Sequence, residues 1–216
     1  RFKSSWEREE IGDPNDAFDQ IVSVTARWTI PQIGLEPYFE YARNDFGGGI
    51  FGAQPDHSRA YSLGFTKLFD LPEQSVLAMT AEISNTAANI TSNARPPGSY
   101  YIHSIVEQGH THLGQIIGSG MGPGGAFGYN LFVRRYNEKG MHGLMMQYMR
   151  INDDFYFLYF DNIERHDFEV SFGYRGVIRM SSLELGLNAL FSRRLNMNMI
   201  NDNHKTQFQL GVSVRY

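Results

Sequence analysis

Residues 205–216 read Lys-Thr-Gln-Phe-Gln-Leu-Gly-Val-Ser-Val-Arg-Tyr, and the side chains change character at every step. Thr206, Phe208, Leu210, Val212, Val214 and Tyr216 fall on one side; Gln207, Gln209, Gly211, Ser213 and Arg215 fall on the other. A strand sends successive side chains to opposite faces, so a period of two describes a β-strand with one apolar and one polar face. The rhythm recurs upstream. In a run from Val177 to Phe191, Leu183, Leu185, Leu187, Ala189 and Phe191 alternate with Ser182, Glu184, Gly186 and Asn188. Phe168, Val170, Phe172 and Tyr174 oppose Asp167, Glu169, Ser171, Gly173 and Arg175. Val22, Val24, Ala26 and Trp28 oppose Ser23, Thr25 and Arg27; Leu35, Phe39 and Tyr41 oppose Glu36, Tyr38 and Glu40. Leu77, Met79, Ala81 and Ile83 oppose Thr80, Glu82 and Ser84. Helical periodicity is hardly visible.

Composition narrows the class. The 216 residues suffice for one domain, and no linker divides residues 1–216. A formal net charge of -4 offers no basic field for nucleic acid. The absence of cysteine removes thiol catalysis, thiolate metal sites and disulfides. The longest apolar stretch, Phe155 to Phe160, is far short of the ~20 residues of a membrane helix. An aromatic share of 14% with 22 glycines leaves a soluble all-β domain or an outer-membrane β-barrel.

Three features favour the barrel. Several alternating runs reach the ~9–11 residues of a tilted membrane strand, beyond the ~5–6 common in soluble sheets. Aromatics gather near strand ends, as interfacial girdles do. The terminal Tyr216 closes an alternating strand, like the aromatic signal read by outer-membrane insertion machinery. The expected fold is therefore an all-β, antiparallel transmembrane outer-membrane β-barrel with about ten strands in this chain. Residues 1–10 contain no apolar signal segment, so the chain is expected to be a mature protein or the C-terminal part of a longer one.

Candidate chemistry is sparse. Gly120-x-Gly122-x-x-Gly125 matches a dinucleotide fingerprint in letters, but a strand and not a helix is expected from Ala126 on, so these glycines read as a tight turn or close backbone approach. His110 and His112, with His103, lack the fixed-spacing acidic or thiolate partners of a metal site. His57-Ser58 and His103-Ser104 show no base and orienter for a serine nucleophile. Asn89-Ile90-Thr91 is a formal glycosylation acceptor of little weight in a bacterial protein. Asn152-Asp153-Asp154 lacks the spaced oxygens of a calcium loop and reads as a solvated turn. No catalytic residue, metal or cofactor is expected. The polar phase holds Glu36, Glu40, Glu82, Arg134, Glu184 and Asn188, with Arg27, Asn130, Gln207, Gln209 and Arg215. These are expected to line the lumen, where mixed charges pair with one another or present a polar surface to sugars.

Two stretches go beyond pattern. Glu36, Tyr38, Glu40, Arg43 and Asp45 are followed by Asp56-His57-Ser58-Arg59-Ala60-Tyr61. Gly109, Thr111, Gly114 and Gln115 then lead into Gly120, Gly122, Pro123 and Gly124. Over roughly residues 20–160 this resembles the Wzi-type capsule-assembly family of outer-membrane proteins, in its Bacteroidetes-like branch. Pro37 interrupts the first motif, and His112-Leu113 stands where the family pattern has an Arg nearby.

The resemblance implies a plugged barrel of about 18 strands, of which this chain is the C-terminal portion. It implies a non-enzymatic, lectin-like protein of the bacterial outer membrane that anchors capsular or other surface polysaccharide at the cell surface. Outer-membrane lipid and other outer-membrane proteins are the further partners. The residues expected to contact glycan are Arg43, Asp45, His57, Arg59, His110, His112 and Gln115. The alternative is a porin, or an accessory barrel subunit of a larger outer-membrane complex.

Overall fold

The computed structural model describes residues 21–44, 59–87, 100–101, 111–112, 115–116, 121, 124–159 and 165–216. Its strands are, in order, β1 (Ile21–Arg27), β2 (Leu35–Asn44), β3 (Arg59–Leu71), β4 (Ser75–Asn85), β5 (Thr111–His112), β6 (Gln115–Ile116), β7 (Ala126–Asn137), β8 (Gly140–Ile151), β9 (Asp167–Met180), β10 (Leu183–Leu195) and β11 (Lys205–Arg215). One short helix, α1 (Asp153–Tyr159), precedes β9. Nine strands form a single antiparallel sheet in the order β1-β2-β3-β4-β7-β8-β9-β10-β11, while β5 and β6 pair only with each other. Every neighbour in the large sheet is the next long strand in sequence, an up-and-down meander. Among the described residues β1 and β11 do not pair, so the sheet is open at both edges.

β1 apart, the strands of this sheet have 10 to 14 residues, long enough for a tilted membrane strand. The expected continuous run from Val177 to Phe191 is broken. Val177–Met180 ends β9, and Ser181–Ser182 turns the chain into β10, with Ser181 at φ 35°. No Gly or Asn marks this turn, and it shifts the phase by one residue. Val177, in step with Leu183 along the sequence, lies on the opposite face.

The register shows what the alternation achieves across strands. Trp28 donates its backbone N–H to Pro37, and the row continues through Phe65, Ala81, Leu131, Met146, Phe172, Phe191 and Phe208. One residue along, Arg27, Tyr38, Gly64, Glu82, Asn130, Gln147, Ser171, Ser192 and Gln207 make the adjacent row. The first row has no polar side chain and the second consists of polar or aromatic residues and a glycine. Because neighbouring positions point to opposite faces, the sheet has one apolar and one polar face over its whole width.

Among the described residues, no second layer covers the middle of the apolar face. Leu63 is 57% exposed, Leu144 63% and Phe208 66%, whereas buried residues such as Ala42, Ala60, Tyr100 and Ala126 sit toward one end. A soluble sandwich covers such a face with a second sheet.

The two ends of the sheet differ. At one end the strands are joined through residues 28–34, 72–74, 138–139 and 181–182; at the other through 45–58, 86–125, 152–166 and 196–204. Tyr216 follows β11 at the end with the short connections. Outer-membrane barrels show this division, with short periplasmic turns and longer extracellular loops.

Candidate functional site

The register places Glu36, Glu40, Glu82, Arg134, Glu184 and Asn188 on the polar face, together with Arg27, Asn130, Gln207, Gln209 and Arg215. Six of them have partners across or along the strands. Arg27 pairs with Glu36 at 3.2 Å, and Thr29 donates to the same carboxylate at 2.8 Å. Tyr38 donates its hydroxyl to Glu82 at 2.8 Å, and Ser84 donates to the other Glu82 oxygen at 3.1 Å. Gln147 donates to Asn130 at 2.8 Å. Glu184 lies between Arg179 at 3.3 Å and Arg215 at 3.8 Å, its register partners on either side. Gly64 makes room for the Tyr38 ring, since a Cβ there would come within 2.6 Å of it. The result is a fixed lattice of hydroxyls, amides and charges, able to bond polar molecules through whatever donors and acceptors the strands leave over.

Three described residues of the longest connection, Tyr100, Tyr101 and Met121, lie against this face. Tyr100 and Tyr101 pack with Ala42 and Ala60, both polar-face positions, and Ile21 closes the cluster. A Cβ on polar-face Gly128 would lie 3.2 Å from the Met121 side chain. Burial pushes the Tyr100 hydroxyl well above the usual tyrosine range, with Tyr101 and Glu40 adding to the effect.

Beside it, at the same end, lies a buried ionic cluster. Asp153 is 1% exposed and pairs with Arg150 at 2.9 Å, with His166 at 3.5 Å beyond it. Burial raises the Asp153 carboxyl above the usual range; Arg150 and His166 work against that rise, and Asp154 adds to it. The Tyr156 and His166 rings lie 4.0 Å apart between centroids. This corrects the solvated turn expected at Asn152-Asp153-Asp154. The two aspartates enter the first turn of α1, where the helix dipole favours negative charge, and the Asp153 and Asp154 amides bond back to the carbonyls of Gly125 and Gly124. Gly124 at φ 83° and Gly125 at φ 73° take conformations that favour glycine, and a Cβ on Gly125 would run into the Asp154 carboxylate.

The residues expected to contact glycan divide. Arg43 and Arg59 are direct register partners on β2 and β3, at the end with the long connections, and their phase is that of the apolar face. His112 and Gln115 are direct partners in the β5–β6 ladder. Asp45, His57 and His110 lie outside the described residues, as do Ser58, His103, Ser104 and the Asn89-Ile90-Thr91 acceptor. The buried cluster of Arg150, Asp153 and His166 was not anticipated; Arg150 lies three residues before Asp153, but nothing in the local sequence shows that the segment is buried beside His166.

Comparison of the chain with protein-family models, with curated proteins and with solved structures gives no match.

Proposed function

We propose that this chain is wall of an outer-membrane β-barrel of the Wzi-like capsule-assembly type, a non-enzymatic protein that anchors capsular polysaccharide at the cell surface. The observation that carries the membrane part is the pair of adjacent rows, one wholly apolar from Trp28 to Phe208 and one polar from Arg27 to Gln207, on a sheet whose apolar face has no second layer among the described residues. Lipid is the medium that stabilises an apolar face without a second protein layer. The division into short and long connections supports placing the long ones outside the cell.

The capsule part rests on the motif resemblance. In this reading Asp45, His57, His110, His112 and Gln115 offer hydrogen bonds to sugar hydroxyls on the extracellular side, with Arg43 and Arg59 at the same end. The open edges at β1 and β11 would be closed by further strands, since unpaired backbone in lipid is not tolerated.

The test is capsular polysaccharide in the cell-bound and shed fractions of cells lacking the protein. Normal synthesis with increased shedding is expected, and a His112→Ala/Gln115→Ala variant should reproduce part of it. An unchanged bound fraction rules out the tether. The same open edges favour the second reading, an accessory barrel or porin within a larger complex, which predicts conductance or stable co-purification with other barrel proteins and no glycan affinity.

A further inference from the structure

Arg175 stands exposed on the polar face of β9, and among the described residues its side chain has no hydrogen bond, ion pair or ring contact. The same holds for the side chains of Asn188 on β10 and Ser213 on β11. Arg175 and Asn188 are direct register partners, with Cβ atoms ~5 Å apart, and Ser213 lies diagonal to Asn188 at ~7–8 Å. Glycines take the other two corners of that diagonal. Gly211 faces Asn188, and Gly186 faces Ser213. A Cβ on Gly211 would meet nothing nearer than the Asn188 side chain at 3.9 Å, while one on Gly186 would run into the Ser213 hydroxyl. Around Gly186 the sheet holds an open recess of about 310 Å³, walled by Arg175, Val177, Asn188, Ser213 and Arg215.

The charge around this recess is one-sided. From Arg134 toward the short connections, the described polar face of β7–β11 carries Arg134, Arg175, Arg179 and Arg215 against Glu184 alone. Glu184 is already engaged by Arg179 at 3.3 Å and Arg215 at 3.8 Å. Glu138 and Lys139 in the turn between β7 and β8 have opposite signs. Asp70, on the same face and at the same end, is four strands from β9, or ~19 Å at ~4.8 Å per strand. That is well beyond the ~8 Å over which salt screens exposed charges. Arg175 therefore offers the five donors of a planar fork, unused within the chain, in an excess of positive charge. A carboxylate matches that fork. Asn188 and Ser213 each supply both a donor and an acceptor, which is what a sugar hydroxyl requires.

We propose that Arg175, Asn188 and Ser213 form a binding site for an acidic saccharide, in which Arg175 holds the carboxylate and Asn188 and Ser213 bond the neighbouring hydroxyls. The site lies toward the short connections, at the end opposite to His112 and Gln115. It requires only that solutes reach the polar face, and it depends neither on the capsule reading nor on the apolar face meeting lipid.

The test is isothermal titration of the full-length protein with three probes: a galacturonate tetramer, its methyl ester and inorganic phosphate. The ester keeps the hydroxyls and loses the charges, whereas phosphate keeps a charge and loses the sugar. The acid should bind at least about tenfold more tightly than the ester, as expected for one charge-assisted contact. Arg175→Gln should abolish that difference, whereas Asn188→Ala and Ser213→Ala should weaken acid and ester alike. Lys205→Gln removes a positive charge from the same face at the other end of β11 and should leave both affinities unchanged. Arg175 is exposed and unbonded, so its replacement keeps the fold, and heat-modifiable mobility in gels checks this for each variant. No binding of the acid, equal binding of acid and ester, or an undiminished difference in Arg175→Gln overturns the inference. The same loss in Lys205→Gln would assign the attraction to the general field of the face and overturns it too. Displacement of the tetramer by an equal concentration of phosphate would mark a site without saccharide selectivity, and the inference falls in that case as well.

Discussion

The carboxylate of Asp167 accepts two hydrogen bonds from the Arg194 guanidinium, from Nε at 2.7 Å and from an Nη at 2.6 Å, diagonally across β9 and β10. Asp167 is fully buried, and the Asn198 backbone N–H donates to it at 2.8 Å, tying the 196–204 connection to the sheet. Removing one member of a buried pair leaves the other charge without its partner, at a cost of about 3–5 kcal/mol. Arg194→Ala is therefore expected to lower the urea midpoint of the folded protein sharply. Arg194→Met/Asp167→Leu, which removes both charges, should recover most of the loss. Equal destabilisation by the single and double changes would show that packing and not the ion pair matters at this position.

Phe208 and Gln207 are neighbours on β11, both exposed, and point to opposite faces. In water an arginine is tolerated at either. In lipid, Phe208→Arg should cost about 2–4 kcal/mol near the middle of the band, while Gln207→Arg costs little. Assembly of the two variants, followed by heat-modifiable mobility in gels, decides the matter. Equal assembly would mean that the apolar face does not meet lipid.

Gly125→Ala forces a side chain into a backbone at φ 73° and toward the Asp154 carboxylate. The backbone strain alone is about 1–3 kcal/mol. Adding Asp154→Ala should relieve the collision and leave only the strain, so the double variant is expected to unfold at a higher urea concentration than Gly125→Ala.

Asp153 gives the 152–166 connection a pH dependence of known sign. Its carboxyl is raised by burial, with Arg150 and His166 only partly compensating. Between the ordinary carboxylate value and the raised one, the folded state holds more protons than the unfolded state. Stability from this group is thus present at low pH and is lost as pH rises through that window. Amide exchange in α1, corrected for its intrinsic rate, should slow as pH falls from neutral, and Asp153→Asn should flatten the change. A parallel response in that variant would assign the effect to another group.

The alternation of side chains by itself determined that this chain is made of two-faced strands, and which residues share a face within each. That information is local, because successive side chains on an extended backbone point in opposite directions whatever the strand pairs with. It placed Glu36, Glu82, Arg134, Glu184 and Asn188 in one phase before any strand was paired. It failed at Ser181–Ser182, where the phase slips through a turn with no glycine or asparagine to announce it. Only the tertiary structure decided what meets what: that Arg43 faces Arg59, that His112 faces Gln115, and that the acidic residues of the described strands all lie on the polar face while basic residues occur on both. It also decided that Asp153, read as solvated, is buried beside Arg150 and His166, and that Arg194 reaches Asp167, 27 residues away. The Arg194–Asp167 pair depends on cross-strand register, which is set by the whole sheet and is invisible to any one strand's sequence, whereas Arg150 and Asp153 are three residues apart and only their burial had to come from the fold.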